Sequence, residues 1–361
     1  MALRIALIFG VVLLALGNEP SFADPTQEQL SALGRQLFFS TALSDDRSIS
    51  CSSCHVPEHA FADPRPVSIG VYGKVGTRNA PSLIGIAKDT AFFWDGRRGS
   101  LNDVVLDPFT NPVELGLESQ DAILLLIRND AELAQAFKST FRRSDPQLKD
   151  VAIALSSFVA TLTSERSDLD NTEAKHGDLA ATAQRGRELF EGVAGCVECH
   201  RVAPYGRFTD GDYHFTTAPV LHGSYTLGDL AKEVDKLSLD ATALGHRVLA
   251  DADWASLGRF VVTRKPNDIG AYRTPSLRNV ALTAPYMHDG HIATLEEAVD
   301  HEIYYRAQQS GRVAQITQAE RSAIVVFLRS LSDDPATSTS PRMVVDRCLR
   351  GSCKASRKPS N

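Results

Sequence analysis

The sequence predicts a mainly α-helical chain built as two similar halves, and three observations carry that prediction. The first is Cys51-Ser52-Ser53-Cys54-His55 with its later twin, Cys196-Val197-Glu198-Cys199-His200. The second is a matching approach to each: Gly34-Arg35-Gln36-Leu37-Phe38 before the first and Gly186-Arg187-Glu188-Leu189-Phe190 before the second. The third is a matching close, Phe158-Val159-Ala160-Thr161-Leu162-Thr163 against Phe327-Leu328-Arg329-Ser330-Leu331-Ser332. C-x-x-C-H is the attachment signature of c-type haem. Its two thiols add across the haem vinyl groups, and the adjacent His sits under the iron. A redox or zinc C-x-x-C pair would not call for a His after each second Cys. The motifs therefore assign two covalent haems, held by Cys51 and Cys54 and by Cys196 and Cys199, with His55 and His200 as iron ligands.

Each half reads as helix, haem motif, long irregular stretch and closing helix. That is the plan of a cytochrome c domain, in which a few helices wrap on a haem that supplies much of the core. The opening helix carries a capping box, Thr26 with Gln29, and apolar Leu30, Leu33 and Leu37 at helical spacing. The last helix has its own box, Thr317 with Glu320. Val56 to Leu101 and Arg201 to Ala271 read as irregular, and only a haem edge makes stretches of that length acceptable. Division is expected in the polar stretch from Ser164 to Gly177. It gives domains over 24–170 and 178–335, followed by a basic, loose tail over 336–361.

The chain has 361 residues, 43% hydrophobic and 23% charged, a globular composition long enough for two domains. Arg4, the apolar run Ile5 to Leu16 and Ser21-Phe22-Ala23 read as a secretory signal over 1–23. That run is too short to span a bilayer and no later apolar stretch is long enough, so no transmembrane segment is expected in the mature chain. Export fits c-type haem, and the periplasm is the expected location. Cys348 and Cys353 in the tail can pair there as a small disulfide loop. The formal net charge is −6, although Arg342, Arg347, Arg350, Lys354, Arg357 and Lys358 face only Asp346 in the tail. The acidic body suits a basic electron-transfer partner and offers nothing to nucleic acid.

Between the haem motifs lie Arg78-Asn79-Ala80-Pro81-Ser82, Phe93-Trp94-Asp95-Gly96-Arg97 and Asn111-Pro112-Val113-Glu114-Leu115-Gly116. Later come Thr274-Pro275-Ser276-Leu277-Arg278-Asn279 and Pro285-Tyr286-Met287-His288-Asp289-Gly290. With these marks the chain resembles the bacterial dihaem cytochrome c peroxidases and the related methylamine-utilisation enzyme MauG, over roughly Gln27 to Asp333. The resemblance implies reduction of hydrogen peroxide with electrons from a small cytochrome c or copper protein. It implies Glu114 as the acid–base group over an open iron face, a role typically worth ~10²–10⁴ in rate. It also implies Trp94 as the relay between haems, and a calcium ion held by Asn79 and by carbonyls near Thr274 to Ser276. Trp254 has no match and reads as core. A homodimer is also considered.

Three positions depart from the family pattern. Where typical relatives place a loop His that blocks the first haem at rest, this chain has Val71, and His59 follows the motif too closely to substitute. The first iron is then expected to be open without reductive activation. Where relatives place a Met or Tyr on the second iron, the count from His288 lands on Glu302, with Tyr304, Tyr305 and His301 as alternatives on a helix begun at Thr294. Only Met287 and Met343 follow the signal segment, so a Met ligand is not expected. Where relatives often carry Gln, this chain has Val104. Two other readings stand beside the peroxidase: a MauG-like oxidase of partner side chains, and a dihaem electron-transfer cytochrome without enzymatic activity.

Overall fold

The computed structural model describes residues 24–164, 167–174, 180–202, 206–215, 226–311 and 315–333. The expected signal segment, the basic tail, Met343, Cys348 and Cys353 lie outside them. Helix α1 (Gln27–Phe39) starts at Thr26, whose capping box with Gln29 is formed. Helices α2 (Gln120–Asn129), α3 (Ala131–Phe141) and α4 (Leu148–Val159) follow. Helix α5 (Asp168–Ala174) leads to α6 (Ala181–Glu191). Strand β1 (Tyr213–Phe215) precedes α7 (Leu227–Lys236), α8 (Ala241–Ala250) and α9 (Ala252–Ser256). Strand β2 (Ala271–Arg273) pairs antiparallel with β1, Tyr213 opposite Arg273. Helices α10 (Leu295–Ser310) and α11 (Gln318–Arg329) close the second half, each begun by a Thr–Glu capping box, the one at Thr317 as expected.

In each half the first helix crosses the last at a glycine. A Cβ on Gly34 would lie 1.9 Å from the Ala154 carbonyl oxygen and 2.9 Å from Phe158 Cβ. A Cβ on Gly186 would lie 1.9 Å from the Ala323 oxygen and 2.9 Å from Phe327 Cβ. Only glycine lets the backbones approach so closely. The aromatic core then repeats: Phe38 meets Phe158 at 5.1 Å between ring centroids, and Phe190 meets Phe327 at 5.4 Å.

Two expectations need correction. The stretch from Arg201 to Ala271 is not irregular among its described residues. It holds α7, α8 and α9, which bury Leu230, Val234, Val248, Trp254, Leu257 and Phe260 in a core of their own. Trp254 is indeed core, fully buried. A division at residue 170 also cuts through α5, which packs on the second half: Leu169 joins its core, and Arg278 pairs with Asp170.

The halves meet through a reciprocal backbone pair. Asn79 N–H donates to the His288 carbonyl at 2.9 Å, and Arg273 N–H donates to the Trp94 carbonyl at 2.9 Å. Around that seam Asp89 accepts from Arg207 and from Arg273, the latter at 2.8 Å, and all three side chains are largely buried. Arg259 Nη1 donates to the carbonyls of Asp95 and Gly96. No helix among the described residues is long and apolar enough to cross a membrane.

Candidate active site

Each C-x-x-C-H segment folds as a 3-10 turn that brings the His back over the first Cys. His55 N–H donates to the Cys51 carbonyl and His200 N–H to that of Cys196, both at 2.9 Å. His55 Nδ1 lies 3.0 Å from the Phe61 carbonyl, and His200 Nδ1 lies 2.9 Å from that of Phe208. Both phenylalanines take positive φ, 57° and 54°, to aim those carbonyls. A ring anchored through Nδ1 keeps Nε2 for a metal. Burial pushes the Cys51 and Cys196 thiols up to about 12 and Cys54 up to about 11. Zinc binding needs thiolates, so burial opposes the zinc alternative. Around His200, Cys196 and Cys199 opens a mainly apolar cavity of about 1350 Å³, counting its mouth. The donor set and that space fit a covalent haem.

Glu114 sits in the turn after the short helix Asp107–Thr110. Asn111 O accepts from the N–H groups of Glu114 and Gly116, both at 3.0 Å. The Glu114 carbonyl accepts from Val71 N–H at 3.0 Å, and Lys74 Nζ donates to the Pro112 carbonyl at 3.1 Å. Val71, the residue expected to stand in place of a loop His, is fully buried against Gly116 as a wedge under the Glu114 turn. The Glu114 carboxyl is pushed up to about 7 by burial, with Arg97 opposing and Asp107 adding to the rise. Its charge reaches Cys51 and Cys54, which ties it to the first haem site. Arg97 is held over the Phe93 ring at 3.5 Å and paired with Asp95 at 2.9 Å. Asp107 pairs with Arg98 at 2.5 Å. Neither Arg97 nor Asp107 was singled out from the sequence. Val104 packs into a small apolar cluster with Phe92.

One wall of the cavity around His200 is built by α10. Glu302 lies on it, its carboxyl pushed up to about 7 by burial while His214 pulls the other way. Tyr305 also lines it. Tyr304 does not: one residue earlier on the helix, it is 58% exposed and is removed from the set of iron-ligand alternatives. His301 stands outside the wall, its ring 4.5 Å from that of Tyr305. Met287 borders this cavity and the adjoining one, as Trp94 does, so it belongs to the partition between the two cavities. His214 was missed from sequence. It reaches the cavity from β1, 2.7 Å from Asp210. Cys199, Asp210 and His214 could together hold a metal, but thioether formation at Cys199 would leave only two ligands.

Trp94 lines both cavities, and its Nε1 donates to the Asn79 carbonyl at 2.9 Å. Beside it Tyr272 and His288 stack at 3.9 Å. Asn79 Nδ2 donates to the carbonyls of Asp63 and Arg65, which leaves Oδ1 as the amide's ligand atom. Thr274 O accepts from Thr209 Oγ1 at 2.7 Å and keeps a second lone pair. Asn79, Pro275 and Ser276 border the adjoining cavity. Arg207 and Arg273 border it too, each with a buried Nε that has no partner. Such donors suit the carboxylate substituents of a haem.

Comparison with known proteins agrees with this geometry. Residues 28–178 match the family model described as di-haem cytochrome c peroxidase. The chain is 32% identical to the cytochrome-c peroxidase IdrP2 of Denitromonas iodatirespirans, over 94% of this chain and 92% of that one. It is 30% identical to the methylamine utilization protein MauG of Methylorubrum extorquens, over 89% and 83%. Among solved structures, a MauG-like protein associated with microbial copper homeostasis superposes with a TM-score of 0.70 at 28% identity, covering 90% of this chain and 97% of that one.

Proposed function

The chain belongs to the di-haem cytochrome c peroxidase family, and from that premise we propose that it reduces hydrogen peroxide to water at the His55 haem, in the periplasm, with electrons from a small redox protein. The observation that carries the proposal is Glu114, a carboxyl pushed up to about 7 by burial at the first haem site. The bound haem supplies the iron that takes up peroxide and exchanges electrons with it. Glu114 supplies the proton traffic. Near neutral pH it is poised between acid and carboxylate, so it can take a proton from one peroxide oxygen and return it to the other. Arg97 and Asp107 set that balance from opposite sides. Trp94 relays electrons across the partition, gripped through its Nε1 and its carbonyl. Asn79 Oδ1 and the Thr274 carbonyl would be the oxygen ligands of a calcium ion.

Val71 makes reductive activation unnecessary, because a buried isopropyl group cannot occupy the first iron. Glu302, which lines the cavity around His200, would serve as the protein's further ligand to the second iron, with Tyr305 as its alternative. An anionic oxygen there would favour ferric iron and lower its potential. That feature and the likeness to MauG favour one second reading, a MauG-like oxidase of a partner protein's side chains.

The test is absorption and EPR of the all-ferric protein before and after one equivalent of peroxide, without reductant. A high-spin signal removed rapidly by peroxide supports the open first site. Two low-spin haems inert to peroxide would sink it. Turnover of a reduced small cytochrome then separates peroxidase from protein oxidase.

A further inference from the structure

The second haem cavity has an aromatic route to the surface that the peroxidase reading does not use. Tyr305 lines the cavity that contains His200. Its ring lies 5.3 Å from that of Tyr304, at 87°. Tyr304 is 58% exposed, so two adjacent phenols join the cavity wall to solvent. Tyr305 also meets His301, 4.5 Å away between ring centroids, and His291 lies 5.6 Å from His301. His291 Nδ1 lies 2.5 Å from Asp289 Oδ1. These imidazoles can receive a phenolic proton when Tyr305 gives up an electron.

We propose that Tyr305 and Tyr304 form an exit for oxidising equivalents, through which peroxide without a reduced partner oxidises Tyr304 and couples it to Tyr304 of a second copy of this chain. The inference rests on the peroxidase reading. The balance closes without another reagent. Each Tyr304 gives one electron, which passes through Tyr305 to the oxidised cofactor, and one phenolic proton. Two such rings join by a carbon–carbon bond. The two electrons and two protons reduce one hydrogen peroxide to two waters.

Tyr72 provides the contrast. It is 63% exposed, but its hydroxyl donates to Asp45 and its ring contact is with Lys74. No aromatic pair found among the described residues leads inward from it.

The experiment uses the all-ferric holoenzyme with substoichiometric peroxide and no donor. Peroxide consumption, dityrosine fluorescence and cross-linked dimer on a denaturing gel are followed in the same sample. The wild type should give both dityrosine and dimer. Y304F should lose them, and Y305F should form them more slowly although Tyr304 is still exposed. Y72F should match the wild type. Absorption spectra and haem content of each variant establish that it folds and carries both haems. Consumption of peroxide with no dityrosine, or equal dityrosine in Y305F, would overturn the exit alone. Failure to consume peroxide would overturn the peroxidase reading, and the exit with it.

Discussion

The two halves share a helix crossing and an anchor for the proximal His, and they differ in what they present to the iron. Gly34 and Gly186 make the same helix crossing, and Phe61 and Phe208 aim the same carbonyl at the proximal His. Phe93 and Met287 both take positive φ, 65° and 73°, and each is followed two residues later by an Asp and three later by a Gly of positive φ. Trp94 and His288 therefore occupy corresponding places. Among the described residues each half also holds one carboxyl pushed up to about 7, and these do not correspond. Glu114 stands on a turn wedged by Val71, Glu302 on the long helix α10. A duplicated frame thus tolerates very different chemistry when the working groups hang from the parts that were not duplicated.

Glu114→Gln tests this division of labour most directly. If Glu114 alone moves the proton, the rate of peroxide reduction should fall by ~10²–10⁴, with both haems still attached. Glu302→Gln, the same change in the other half, should leave the initial peroxide reaction at the first haem intact. It should raise the midpoint potential of the second haem in spectroelectrochemical titration. Equal losses of peroxide reactivity would mean that the halves are not specialised as described.

Stability offers a second comparison. Burial raises the folded pKa of Glu114 above its unfolded value, so the folded state carries a cost once the group ionises. The cost is absent below the unfolded pKa near 4.5 and complete above about 7. Its size is on the order of 3 kcal/mol. Glu114→Gln should therefore be more stable than the wild type in denaturant titrations at pH 8, with the advantage gone near pH 4. In activity the sign is opposite. The wild-type rate should decline as pH falls below about 7, where the carboxylate that accepts the first proton is lost.

The smallest effects concern the shared frame. Gly34→Ala and Gly186→Ala each drive a methyl group into a backbone carbonyl, and overpacking of this kind costs about 1–3 kcal/mol. Thermal melts of the two variants should show similar losses. A large inequality would mean that the two crossings bear different loads.

What could be read from the sequence follows the range of the interactions. The haem motifs, the capping boxes at Thr26, Thr294 and Thr317, and the burial of Trp254 depend on residues close together or on one side chain's size. The third core was missed because α7, α8 and α9 are short and separated by polar loops, so none has a long periodic stretch. Tyr304 and Tyr305 could not be separated by counting, because that needs the rotational setting of α10 on the cavity. Arg97 and Asp107 came to notice only through their effect on Glu114, and His214 through a strand pairing of distant segments. The correspondence of Trp94 with His288 was hidden because little but Asp and Gly is retained around them.

The reciprocal hydrogen bonds between Asn79 and His288 and between Arg273 and Trp94 have the logic of a two-fold subunit contact, in which each surface offers one donor and one acceptor to its equivalent. Here that contact is folded into a single polypeptide. Produced as a fragment, either half would bare a self-complementary face, and its simplest means of satisfying it would be to pair with another copy of itself. The covalent link therefore enforces unlike pairing: it ensures that a half bearing Glu114 always meets a half bearing Glu302, an arrangement that separate subunits would reach only by sorting.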